Sequence, residues 1–198
     1  MDNMKNFSAP FTIGYPNLKD FVLEKCTPQN YRLRVPKGKK LTEPVFIRFE
    51  KAAENLNLKL EFEIGKQAEA VIKILAKVSG TQNLSVNVEL ICDEAESKGE
   101  ILMKGVASDH SHLSFDGLVH IGKKATGSSA HLRQEILNLS PHTTVRAKPG
   151  LKIETNDVKA GHSASIRNLN DEDLYYFAAR GIKSEMAKKM LVTGFFEG

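Results

Sequence analysis

Residues 58–64 read Leu-Lys-Leu-Glu-Phe-Glu-Ile. Apolar and charged side chains alternate there without a slip. Successive side chains of an extended strand point to opposite faces, so this stretch has one apolar and one charged face. The same period of two continues in both directions. Val45, Ile47 and Phe49 come before it; Ile72, Ile74, Ala76 and Val78 follow, then Leu84, Val86, Val88 and Leu90. Leu113, Phe115, Val119 and Ile121 keep one parity, and Leu151 and Ile153 resume it. Gly65, Ser79-Gly80, Ser97-Lys98-Gly99, Gly122-Lys123-Lys124 and Pro149-Gly150 break the pattern at roughly ten-residue intervals, as turns do. Residues 31–166 therefore predict an all-β body.

That spacing admits a sandwich, a barrel or a β-solenoid. Asp116-Gly117 is the one strong two-residue hairpin signal, and in the register of Phe115 and Val119 its glycine falls inside a strand. Short strands joined by Ser-, Asp-, Asn- and Gly-rich corners suit a solenoid, whose rungs stack in parallel and need corners rather than hairpins.

The two ends differ from the body. Pro10, Gly14, Pro16 and Pro28 punctuate residues 1–30, which read as irregular, with one short helix possible over 16–25. At the other end Asn170 precedes Asp171, Glu172 and Asp173, a good cap and three acids suited to the positive end of a helix. Gly181 stands where a left-handed closing residue belongs. A second helix is expected from Ser184, with Met186, Ala187, Met190 and Leu191 on one stripe and Gly194 ending it before Phe195-Phe196. The expected organisation is an N-terminal segment (1–30), a β core (31–168) and a helical hairpin (169–198). The hairpin either caps an open sheet end or docks a partner through Tyr175, Tyr176, Phe195 and Phe196.

The composition excludes several classes. The 198 residues are 41% hydrophobic and 26% charged with a net charge of +4, so neither a disordered tail nor a polycation fits. Cys26 and Cys92 form no CxxC, and with no secretory leader in view they suggest a reducing cytoplasm. No apolar run is long enough to span a bilayer as a helix. Phosphate loops, GxSxG and HExxH are missing from the sequence, so no nucleotide is expected to be bound by this chain. The basic residues Arg32, Arg34, Lys37, Lys39 and Lys40 read as a solvated strand edge rather than a nucleic-acid surface.

Two histidine groupings stand out. His110, His112 and His120 lie opposite the core parity of Leu113, Phe115 and Val119, on the solvent side, and without an enclosing shell make a weak metal site. His162 is different. Val158, Ala160, Ala164 and Ile166 share its parity, so the imidazole faces the apolar side among small neighbours. It is either a hydrogen-bonded core histidine or a ligand at a subunit interface.

Leu151-Lys-Ile-Glu-Thr-Asn-Asp-Val-Lys-Ala-Gly-His162-Ser-Ala-Ser, followed by Asp173-Leu-Tyr-Tyr-Phe-Ala-Ala-Arg-Gly-Ile182, resembles the C-terminal signature of the SufB/SufD family of iron–sulfur cluster assembly proteins. Lys104-Gly105-Val106 and Phe115 through Ile121 resemble a rung of the same proteins. Val35-Pro36-Lys37-Gly38 with Glu43-Pro44-Val45 resembles the start of their β-helix. The resemblance covers about residues 31–198, in a chain about half the usual family length.

It implies an all-β, right-handed parallel β-helix with a C-terminal helical hairpin. It also implies a non-enzymatic scaffold or accessory subunit that pairs with itself or a SufB/SufD-like paralogue. The hairpin would bind a SufC-like ABC ATPase through Leu174, Tyr175, Tyr176, Phe177, Arg180, Gly181 and Ile182. In this family ATP-driven closure of the ATPases is held to strain the paired β-helices and expose an assembly site. The resemblance makes His162 a candidate iron ligand for a transient cluster shared with a partner, a chemistry imidazole supports. Ala160 stands where many SufD-type members have cysteine. Gln134 falls where SufB-type members carry their sulfur-accepting cysteine. Neither cysteine of this chain matches those places, which implies a SufD-like chain or a reduced ancestral-type member able to homodimerise. No membrane and no nucleic acid enter this picture.

Overall fold

The computed structural model describes residues 29–49 and 55–198 in full, together with the backbone of three short strands, β1 (Met4–Lys5), β2 (Thr12–Gly14) and β3 (Val22–Thr27). The body is built from β4 (Asn30–Val35), β5 (Val45–Phe49), β6 (Asn55–Ile64), β7 (Glu69–Val78), β8 (Asn83–Cys92), β9 (Lys98–Ala107), β10 (His112–Ile121), β11 (Ser128–Asn138), β12 (Thr144–Ile153) and β13 (Val158–Asn168). Helices α1 (Asp171–Ala178) and α2 (Ser184–Glu197) follow.

The strands alternate between two sheets. One has the order β1-β2-β5-β7-β9-β11-β13 and the other β12-β10-β8-β6-β4-β3. From β4 onward every pairing is parallel, each strand lying beside the one a full turn earlier. The result is a parallel β-solenoid of about five turns, so the sandwich and the barrel are ruled out. Among the described residues antiparallel pairs occur only at its start, among β1–β2, β2–β5 and β3–β4. Val22–Thr27 is one of these strands, so residues 22–25 are not helical; they pair with β4, which offers backbone partners that an isolated short helix would lack. The rest of the segment over which a helix was expected lies outside the described residues.

Stacking aligns like with like. In the first sheet Val45, Ile72, Ile101 and Leu132 form one inward row, and in the second Phe62, Leu90 and Val119 form another. All of these are buried. Gly117 does sit mid-strand, facing inward; a Cβ there would collide with the side chains of Leu132 and Gln134. Outward positions carry charge. Arg32 donates to Glu61 at 2.6 Å and Arg34 to Glu63 at 2.9 Å on the neighbouring strand. This corrects the expected solvated edge: β4 has β3 on one side and β6 on the other, so its arginines find carboxylates across the ladder.

The hairpin starts as the sequence indicates. The Asn170 side chain accepts from the Asp173 backbone N–H, and the Asp173 carboxylate accepts from the Asn170 backbone N–H. Its first helix closes with Ile182 N–H donating to Phe177 and Gly181 N–H to Ala178, Gly181 holding a φ of +75°. One expectation fails: α2 continues through Gly194 to Glu197, carrying Phe195 and Phe196 on the helix. Glycine weakens a helix without ending it when the next turn is anchored, and the anchor here is Lys104.

Lys104 lies on the outer face of β9 and is only 3% exposed. Its ammonium donates to the Phe195 carbonyl at 2.7 Å, lies 5.2 Å from the Phe195 ring centroid and 3.6 Å from the Glu135 carboxylate. A cation at a helix C-terminus also meets the negative end of its dipole. With Leu137, Leu169, Phe177 and Leu191 lining the recess below the helices, the hairpin lies against the outer face of the first sheet. It is therefore not a cap on the open end of the solenoid.

Candidate functional site

The last turn is left open. β12 and β13 are the edge strands of the two sheets at that end. Their inward rows continue the core: Leu151 extends the row of Val119, Ile153 that of Ile121, and Ile166 that of Ile136. Yet Leu151, Ile153 and Ile166 are 38%, 45% and 44% exposed. Two unpaired strand edges and an apolar floor are laid side by side, an arrangement that seeks a further strand.

His162 lies in this end. Register places it on the row of Val45, Ile72, Ile101 and Leu132, the only member of that row that is not aliphatic. The parity reading of an inward imidazole is thus matched by its position, but the side chain is exposed rather than held in the core. Gln134 is one turn below, in the next row, directly beside Ala164. It is fully buried; its amide nitrogen donates weakly to Met103 Sδ at 3.6 Å, and its Oε1 has no hydrogen-bond partner among the described residues. Ala160 precedes His162 on the same face and packs, half-buried, against the core.

Among the described residues no three His, Cys, Asp or Glu side chains converge to hold a metal ion. His110 and His142 stack at 5.1 Å on adjacent corners, and His112 stands exposed at the start of β10. His120 instead sits between Glu154 at 3.2 Å and Glu89 at 3.8 Å, contacting them through different ring nitrogens, so one ion cannot be shared among the three. The His120 hydrogen bond and nearby Lys152 hold the Glu154 carboxyl below its ordinary value. Cys92 is buried beneath the core, and burial pushes its thiol up to about 11, far from a reactive thiolate. Cys26 lies on β3, whose side chains are outside the described residues.

The residues expected on the hairpin surface divide into two groups. Tyr175, 75% exposed, and Tyr176 face solvent with Met186 and Met190. The Arg180 guanidinium stacks 3.6 Å from the Tyr176 ring centroid and donates to the Tyr176 carbonyl. Phe177 turns toward the solenoid, Leu174 and Ile182 are half-buried, and Gly181 makes the turn. Lys104, which seats the hairpin, escaped the sequence reading. Its only signal was a lysine among Leu102, Val106 and other apolar outward neighbours, and that signal has meaning only once a helix is known to cross it.

Residues 45–195 match the family model described as SUF system FeS cluster assembly, SufBD core domain. The chain belongs to the SufB/SufD family. It is 35% identical over 115 residues to Protein ABCI7, chloroplastic, of Arabidopsis thaliana, covering 58% of this chain and 24% of that protein. It is 34% identical over 116 residues to the iron–sulfur cluster assembly protein SufD of Bacillus subtilis, 59% of this chain and 26% of that one. Against SufB of the same bacterium identity is 25% over 133 residues, 67% of this chain and 29% of SufB. The stretch matched thus spans about a quarter of the length of these relatives. The family is described as one of iron–sulfur cluster assembly. None of the helices among the described residues is long and apolar enough to cross a membrane.

Proposed function

We propose that this SufB/SufD chain is a non-catalytic accessory subunit of a cytoplasmic SUF-type assembly complex. It pairs through the open end of its β-helix, with a second copy or a SufB/SufD-like paralogue, and holds a SufC-like ABC ATPase on its helical hairpin. The observation that carries this reading is the uncovered last turn, with apolar Leu151, Ile153 and Ile166 and the imidazole of His162 on one surface between two free strand edges.

Each part has a stated task. Edge strands β12 and β13 supply backbone donors and acceptors for a partner's strands, and the apolar floor supplies burial energy of about 25 cal/mol per Å² covered. His162 offers one imidazole nitrogen to iron as cargo. Because no three ligating side chains converge among the described residues, the remaining ligands come from the partner or from sulfide. Stacked parallel strands transmit displacement along the solenoid, so a pull on the hairpin reaches the pairing end through β9, β11 and β13.

The test is anaerobic cluster assembly from ferrous iron and sulfide in the presence of the ATPase, followed by visible absorbance. His162→Ala is expected to fold and pair normally while cluster yield falls at least tenfold. Ile153→Asp is expected to abolish pairing, seen by sedimentation, with the fold intact. Wild-type yield from His162→Ala removes the ligand role, and undisturbed pairing of Ile153→Asp removes the pairing surface.

A further inference from the structure

Across the outer face of the first sheet, beyond the end of α2, runs a groove of about 560 Å³. Its floor is formed by outward side chains of β5 and β7, Phe46, Arg48, Lys73, Leu75 and Lys77, and Phe196 closes one side. Neighbouring strands place Phe46 beside Lys73 and Arg48 beside Leu75. The Arg48 guanidinium lies 5.0 Å and the Lys73 ammonium 5.8 Å from the Phe46 ring centroid. Among the described residues none of Arg48, Lys73 and Lys77 forms an ion pair, unlike the cross-strand pairs Arg32–Glu61, Arg34–Glu63, Lys59–Glu89 and Arg146–Asp116 on the opposite sheet. Among the described residues the one acid at the groove is Glu197, on the helix that borders it.

We propose that this groove seats an extended acidic segment of the partner ATPase, with an apolar side chain between its carboxylates. Three features select that occupant. Lys73 and Lys77 stand four residues apart on one strand, about 13 Å, too far for one phosphate and matched to acids spaced along an extended chain. Leu75, between them and level with Arg48, and the faces of Phe46 and Phe196 offer the apolar middle. The groove also continues from α2, so a body gripping the exposed hairpin face overhangs it. The unpaired cations then steer and fix the register of the contact rather than supplying all of its energy.

This inference rests on the ATPase reading, and the experiment separates the two. Affinity of the full chain for the purified ATPase of the same organism is measured at 50 and 300 mM salt. Arg48→Glu/Lys73→Glu is expected to weaken binding at least tenfold at low salt and to flatten the salt dependence. Lys123→Glu/Lys124→Glu, the same charge change on a remote corner, is expected to stay within twofold of wild type. A photo-crosslinking residue at position 75 is expected to capture a peptide bearing two or more acids. If wild type binds, Tyr175→Ala/Tyr176→Ala loses binding and the groove variant does not, the groove assignment falls alone. If wild type does not bind, the ATPase reading falls and takes the occupant with it. ADP binding to the chain alone, lost in the groove variant, overturns the assignment in favour of a small phosphate ligand, as does capture of a segment without acids.

Discussion

The inner turns and the last turn of this solenoid carry the same side-chain pattern and meet opposite fates. Phe62, Leu90, Val119 and Leu151 stand on one row; the first three are buried and Leu151 is 38% exposed. On the facing sheet Leu132 is buried and its neighbour His162 is not. A strand's alternation says which face is apolar. Whether that face leaves water depends on a neighbour on either side, which the last turn lacks within its own chain. The difference is the one that the proposed pairing at this end would remove.

The sharpest way to break this comparison is to remove apolar volume at each place. Phe115→Ala, in the middle of the core, is expected to lower unfolding free energy by about 3–5 kcal/mol. Leu151→Ala in the unpaired chain is expected to cost under about 1 kcal/mol, because much of its surface is already in water. Urea unfolding of the two variants decides it: equal losses would mean that the last turn is as tightly held as the rest.

The hairpin adds a second test of separate regions, since it is tied to the body through a few groups, the buried Lys104 among them. Lys104→Met keeps the volume but removes the ammonium from the Phe195 carbonyl and Glu135. Leaving that carbonyl without its donor is expected to cost about 1–3 kcal/mol. The loss should be local: amide hydrogen exchange across 184–197 speeds up by roughly tenfold or more, while β7–β11 stay protected. A uniform increase across the solenoid would show that hairpin and body form one cooperative unit.

Much of this organisation was legible beforehand because period-two patterns and caps are local. The alternating rows, the mid-strand Gly117, the Asn170 cap and the Gly181 turn all depend on near neighbours in sequence. What stayed hidden depends on residues brought together from a turn away or more. Arg32 and Arg34 looked like a free basic run until β6 placed Glu61 and Glu63 beside them. Gly194 looked like a stop because the tie between Phe195 and Lys104 spans 91 residues. The cations of the β5–β7 groove drew no reading at all, since nothing local says that their strands face the end of α2. At the site, the inward parity of His162 was readable; its exposure was not, because exposure there records a missing neighbour rather than any property of the histidine's own strand.

Acid offers the smallest and most selective probe of the same contrast. On the inner turns the Glu61 carboxyl is held below its ordinary 4.5, mainly by the Lys59 hydrogen bond and also by Arg32, against burial that pushes the other way. A carboxyl depressed in the folded state binds its proton more readily when unfolded. Its stabilisation is therefore complete above about pH 4.5 and is lost as pH falls through the lower folded value. Glu61→Gln is expected to cost about 1 kcal/mol at pH 7 and to flatten the loss of stability between roughly pH 5 and 3. Glu154, on the last turn, is also depressed, through His120, but lies at the surface where water and salt screen it. Glu154→Gln should leave the acid-unfolding curve of the unpaired chain unchanged. If it shifted that curve as much as Glu61→Gln does, the open end would be sharing in the energetics of the closed turns, and the proposed pairing there would lose the contrast that supports it.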